Sequence, residues 1–173
     1  MRTHTFVVGV VLANMGAIGS SLAAEMPADG CNILKTAEIQ ALAGGAKVSA
    51  VASTDALGSR HCQYTWGTGG NVHAGRSSIN VSVTETSKAF PGTDLETLKE
   101  SLLARVKMAH APAVAGVING VGDAATWASD DPIRVEATAF VKGKVLTVTF
   151  ESKDARAQKD QVSALLKAAA GRL

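Results

Sequence analysis

The sequence predicts an α+β domain: a mostly antiparallel sheet with helices packed against it, in the order α-β-β-α-β-β-β-α, closed by one disulfide. Three observations carry this. Several short segments alternate apolar and polar residues with the period of a half-buried strand. Three segments repeat apolar residues with the helical period, and they punctuate the strands in pairs and triplets rather than alternating with each one, which favours an antiparallel sheet. The only cysteines, Cys31 and Cys62, follow an export leader.

The leader occupies residues 1–24. Arg2 and His4 form a short polar start, Phe6 to Leu12 is apolar, and Ser21-Leu22-Ala23-Ala24 supplies the small residues that suit signal peptidase. Cleavage after Ala23 or Ala24 is expected. A membrane-spanning helix would need about 20 apolar residues, and Gly9, Gly16, Gly19, Ser20 and Ser21 interrupt this run. A lipoprotein signal would set a cysteine directly after the apolar run, whereas Cys31 follows Ala28-Asp29-Gly30. The expected mature chain is therefore one domain over 25–173, with no membrane anchor, in the periplasm or secreted. In such a compartment two cysteines pair. Closing a loop of about 31 residues stabilises by roughly 3–4 kcal/mol on the loop-entropy account.

The elements follow in order. Thr36 is positioned to cap a helix, Glu38 suits its positive end, Ile39 and Leu42 form its stripe, and Gly44-Gly45 ends it. Lys47 to Thr54 alternates only weakly. In His61–Trp66, Cys62, Tyr64 and Trp66 share a face. Gly67–Gly75 is a glycine-rich loop. Ser78–Glu85 sets Ile79, Val81 and Val83 against Asn80, Ser82 and Thr84. Thr93 and Glu96 form a capping-box pattern opening a helix to about Ala109, with Leu95, Leu98, Leu102 and Val106 on one face. Ala111–Gly120 reads as a small-residue connection broken by Pro112, Gly116 and Gly120. Strands are expected at Ala124–Trp127, Ile133–Phe140 and Val145–Phe150, the last two joined by a turn at Lys142-Gly143. A final helix spans about Asp154–Arg172, with Val162, Leu165, Leu166 and Ala169 inward.

Composition excludes several functions. Removing the leader takes away one basic residue, leaving 16 basic against 15 acidic residues, so the chain lacks the charge of a nucleic-acid binder. Aromatic residues make up only 4%, too few for surfaces that stack on sugars or bases. Gly120-Val121-Gly122-Asp123-Ala124-Ala125 matches G-x-G-x-x-[GA], but Trp127, Asp130-Asp131 and Pro132 follow too soon for the long helix a dinucleotide site requires. No cofactor is expected. His61, His73 and His110 form no metal-ligand spacing, so no metal is expected. Neither G-x-S-x-G nor S-x-x-K occurs. Asp130-Asp131 before Pro132 reads as a solvated turn, and Lys142, Lys144, Lys153, Arg156 and Lys159 as an ordinary charged surface.

The pattern Cys31-x-x-Leu34-x-Thr36-x-Glu38-Ile39, then Cys62-x-Tyr64, then Gly120-Val121-Gly122-Asp123-Ala124-Ala125-x-Trp127, followed by a terminal amphipathic helix, resembles a group of small exported bacterial proteins of unknown function. Many of these are actinobacterial lipoproteins, and their domain is similar to the PsbP-like α/β/α sandwich. The resemblance covers most of the mature chain. It implies a bacterial source and a bridged N-terminal helix, and it brings no catalytic residues. The chain departs from the group in lacking a lipidation cysteine.

The expected function is that of an exported, non-enzymatic binding or interaction protein with a protein or small-molecule partner, an inhibitor of an exported enzyme being one form. The alternative is a periplasmic hydrolase with a dispersed site. The glycine loops Gly67–Gly75 and Ala111–Gly120 are the expected binding rims, with Gly69, Gly70 and His73 on the first, Gly120 at the end of the second and Asp123 just beyond it.

Overall fold

The computed structural model describes residues 30–173; the leader lies outside them. Two antiparallel meanders make one seven-stranded sheet. The first comprises β1 (Ser49–Thr54), β2 (Arg60–Gly67) and β3 (Arg76–Glu85). The second comprises β4 (Val114–Val117), β5 (Ala124–Ser129), β6 (Arg134–Val141) and β7 (Lys144–Glu151). The last strand of each meander pairs with the other, so the order is β1-β2-β3-β7-β6-β5-β4. Each meander starts at an edge and ends at the centre. The two edges are therefore β1 and β4.

Register assigns every side chain to a face. One row crosses the sheet as Ala52, Cys62, Val81, Val148, Ala137, Trp127 and Gly116. Its four residues from Cys62 to Ala137 are fully buried. The neighbouring row, Val51, Gln63, Asn80, Thr149, Glu136, Ala128 and Ala115, points the other way. The alternation read from Ile79-Val81-Val83 and Leu146-Val148-Phe150 is thus a core face and a polar face.

Two helices cover the core face. Helix α1 (Thr36–Leu42) contributes Ile39, preceded by Ile33 and Leu34. Helix α4 (Lys159–Ala170) contributes Val162, Leu165, Leu166 and Ala169, the stripe its sequence predicts. A four-residue helix, α2 (Thr86–Ala89), follows β3, and helix α3 (Leu95–Met108) follows it. On the opposite face α3 lays Leu98 and Leu102 on Phe140, with Leu95, Ala124 and Val145 around them. This second cluster is small because α3 spans only the β4–β5 side. Gln63 and Asn80, towards β1, are exposed.

The N-terminal segment is fastened in three ways. Cys31 and Cys62 form the expected disulfide, their Cα atoms 4.8 Å apart. The Tyr64 hydroxyl donates to the Leu34 carbonyl at 2.8 Å, with the Cys31 carbonyl at 3.0 Å. Arg172, near the C-terminus, forks onto Glu38 at 2.7 and 2.8 Å and donates to the Ile33 carbonyl at 2.8 Å. Gly30 lets this segment approach β2: a Cβ there would stand 2.6 Å from the His61 carbonyl oxygen.

Several boundaries differ from the sequence reading. Helix α1 is capped by Lys35, whose N–H donates to Glu38 at 2.7 Å, and Thr36 is already inside it. Helix α3 is capped by Asp94, not Thr93: Asp94 accepts from the Thr97 N–H at 2.9 Å and from its hydroxyl at 2.8 Å. The carboxylate one residue on reaches the same free N–H groups, so it takes the role. The last helix begins at Lys159 after a 3-10 turn over Ala155–Gln158. The largest difference is β4, a strand within the segment read as a connection. Its four residues alternate too little to signal a strand. Pairing with β5 makes it one.

Candidate functional site

The β4 edge is the place where apolar surface, open backbone and a hollow meet. β4 pairs with β5 on one side only, so half of its N–H and C=O groups point outward without a ladder partner. Val117 is 50% exposed, and Met108, at the end of α3, is 67% exposed. Val114 is partly exposed as well. A hollow of about 320 Å³ lies between the end of α3 and the edge, lined by Arg105, Met108, His110, Val114, Ala128 and Asp130 among others.

Local chemistry explains how the edge is held. Gly116 sits in the core row beneath Trp127, where a Cβ would come within 2.6 Å of the indole nitrogen. The missing side chain lets the indole lie over the edge strand. The Lys159 ammonium stands 5.6 Å from the centre of that ring, a cation–π distance. On the other face α3 packs against β4 and β5.

The floor of the hollow is charged and locally neutralised. Arg105 donates to Glu136 at 3.0 Å and lies 3.9 Å from Asp130. Arg134 meets Glu136 at 3.1 Å and Glu151 at 3.9 Å. Acid and base alternate along this chain, so no single-signed field is presented to a ligand. A second hollow of about 290 Å³ shares Arg105, Ala128 and Asp130 and continues to Asp131, Arg134 and Glu136. Asp130 and Asp131 part company: Asp131 accepts from the Ile133 N–H at 2.9 Å inside its own turn, while Asp130 faces Arg105.

The loop residues expected as rims do not come together. Gly69, Gly70 and His73 lie between β2 and β3, at the end of the sheet where Ser78 faces Glu151 and Glu151 faces Arg134. Gly120 and Asp123 lie between β4 and β5, at the other end, where Ala124 faces Phe140 and Phe140 faces Val145. A hollow of about 410 Å³ involves Gly120, Asp123, Lys142 and Lys167. The Asp123 N–H donates to the Phe140 carbonyl at 2.8 Å, so the segment resembling a dinucleotide motif is a turn leading into a strand.

One cluster has the composition of a hydrolytic triad without its connectivity. Asp55 accepts from His61 Nε2 at 3.2 Å and from the Leu57 and Ser59 N–H groups at 2.9 Å. The Ser59 hydroxyl, with these partners, holds the Asp55 carboxyl down to about 2. The carboxylate stands between serine and histidine, whereas a nucleophile must give its proton to the imidazole. Asp55 organises the β1–β2 turn. The other displaced titrations also belong to local pairs: Arg172 lowers Glu38, Thr97 lowers Asp94, and Glu96 raises Lys99. None of these groups lines the hollows described. Among the described residues no three His, Cys, Asp or Glu side chains are placed to hold a metal ion, and no helix is long and apolar enough to cross a membrane.

Sequence reasoning named Ala111–Gly120 as a rim but missed that the segment holds a strand, β4, and so missed the open edge. The usable signal was Val114 and Val117 flanking a glycine, with Trp127 placed to cover that glycine once β5 pairs. Comparisons of the chain with profiles of protein families, with curated sequences and with solved structures give no match.

Proposed function

We propose that the protein is an exported interaction module that binds an extended segment of a partner protein along the β4 edge. The observation that carries this is the coincidence of an unpaired strand edge with exposed Val114, Val117 and Met108 beside a hollow under α3. An added strand takes its affinity from main-chain hydrogen bonds and its specificity from side-chain pockets along the edge. Here the hollow would take one apolar side chain of the ligand. The compensated charges below it favour an uncharged side chain over a carboxylate or an ammonium group.

Export is part of the proposal. The leader pattern over 1–24 and the Cys31–Cys62 bridge both support a chain that matures in an oxidising compartment. We place the chain as a distant relative of the small exported bacterial proteins with PsbP-like domains; an antiparallel sheet with helices on both faces supports that placement.

The test selects peptides from a displayed random library on the immobilised mature protein and maps the bound peptide by amide exchange. Binding should protect the outward amides of Val114–Val117, and Val117→Lys should weaken it at least tenfold. Protection confined to another surface, or selection of no peptide, would sink the proposal. Mass spectrometry of the native product should find its N-terminus at Ala24 or Glu25.

A further inference from the structure

The β1 edge differs from β4 in having no long helix packed on it, only the short 3-10 turn Gly30–Asn32 nearby, and like β4 it carries no charge within the strand. All six residues, Ser49-Ala50-Val51-Ala52-Ser53-Thr54, are exposed, and Val51 is 64% exposed. Natural edge strands are ordinarily blunted by a charge, a proline or a bulge, and none of these occurs within β1. All six residues pair in unbroken register with β2, which leaves the outer side of the strand as a straight row of backbone groups.

The sequence around this edge has a symmetry. Ser49-Ala50-Val51-Ala52-Ser53 reads the same in both directions about Val51. An antiparallel copy centred there sets Val51 opposite Val51, Ala50 opposite Ala52 and Ser49 opposite Ser53. One step further Val48 meets Thr54, and then Lys47 meets Asp55. The symmetric pairing therefore places a cation against an anion at both ends. A parallel pairing would set Lys47 against Lys47 and Asp55 against Asp55, which is repulsive.

We infer that two copies of this chain associate through β1, antiparallel and centred on Val51, joining their sheets into one. A two-fold axis makes such a contact self-complementary and closed, so association stops at the dimer. Val51 protrudes beside Gln63 on the polar face. In the pair it packs against its own counterpart, with Cβ atoms about 4.5–5.5 Å apart. The proposal uses the edge opposite to the one assigned to partner binding and stands or falls independently of it.

The experiment measures the mass of the purified mature protein in solution by light scattering across a concentration series. A dimer is expected. Val51→Lys should make it monomeric, because two ammonium groups would face each other at the axis, while its thermal unfolding stays that of a folded domain. Lys47→Glu should weaken association about threefold to tenfold by reversing both end pairs. Cysteine scanning tests the register: facing Cα atoms lie about 4.5–5.5 Å apart, within disulfide reach. Val51→Cys should cross-link to itself under mild oxidation, and Ser49→Cys should link to Ser53→Cys but not to itself. A monomeric wild type at all concentrations, a dimer indifferent to Val51→Lys, or self-linking of Ser49→Cys would each overturn the inference.

Discussion

The two edges of this sheet end the same hydrogen-bonded ladder in different ways. β4 is enclosed: α3 packs on one face, and Trp127 lies across Gly116 on the other. All six β1 residues are exposed, and the strand is held by β2 and by the nearby N-terminal turn Gly30–Asn32, which the disulfide and Tyr64 tie to β2. An enclosed edge has walls, so it can discriminate among side chains. An exposed edge with no long helix packed on it offers mainly backbone and its own sequence, so it discriminates chiefly by register. That is why a foreign extended segment is assigned to β4 and a second copy to β1.

If the β1 side depends on its covalent fastening and the β4 side on packing, perturbations should separate the two. The largest effect is expected from replacing both Cys31 and Cys62 with serine, which should cost about 2–5 kcal/mol in urea unfolding. Amide exchange should show β1 and β2 losing protection before β5 and β6. Earlier opening of β5 would break the comparison. Leu98→Ala, in the small cluster under α3, should cost about 2 kcal/mol, the low end for a buried leucine because this cluster is partly open. Its loss of protection should fall on β4 and β5 and spare β2.

Gly116→Val should cost about 1–3 kcal/mol by forcing Trp127 off the edge strand. Tryptophan emission should shift to longer wavelength and peptide binding at β4 should fall, while dimerisation persists. The smallest effect belongs to the clasp between the chain ends. Arg172 lowers the Glu38 titration, so the pair contributes stability above the ordinary carboxylate range and loses it as pH falls through the lowered folded value. Arg172→Ala should therefore cost about 1 kcal/mol or less at neutral pH. Wild-type and variant unfolding curves should draw together in acid, leaving only the contribution of the Arg172 bond to the Ile33 carbonyl. A gap that widens in acid would mean that Glu38 is not the group responsible.

Much of the fold was legible. Strands β2, β3, β6 and β7 have both faces determined by neighbours of fixed polarity, so their alternation shows in the sequence. Helix α4 buries a clean stripe, and α3 buries Leu98 and Leu102 while Leu95 and Val106 are half-buried. The caps were off by one because Thr93 and Asp94 are both competent acceptors, and only the path of the chain into the helix selects Asp94. β1 was faint since none of its residues is buried, and a strand without a buried face has no reason to alternate. Of the candidate site only the segment Ala111–Gly120 was legible, as a rim, and neither its strand nor the partners from α3 and β5 were. The glycine loops drew attention, yet the structure places Gly69 and His73 at one end of the sheet and Gly120 and Asp123 at the other.

Taken alone, the sequence determined the antiparallel α+β class, the pairing of the two cysteines and the residues of the core, because each is written in short-range periodicity or simple counting. It also carries the symmetry about Val51. Tertiary structure alone decided that β4 is a strand, that Gly116 makes room for Trp127, and that β1 and β4 are the edges. Those facts follow from which strands lie side by side, and strand order is set by contacts between residues far apart in the chain.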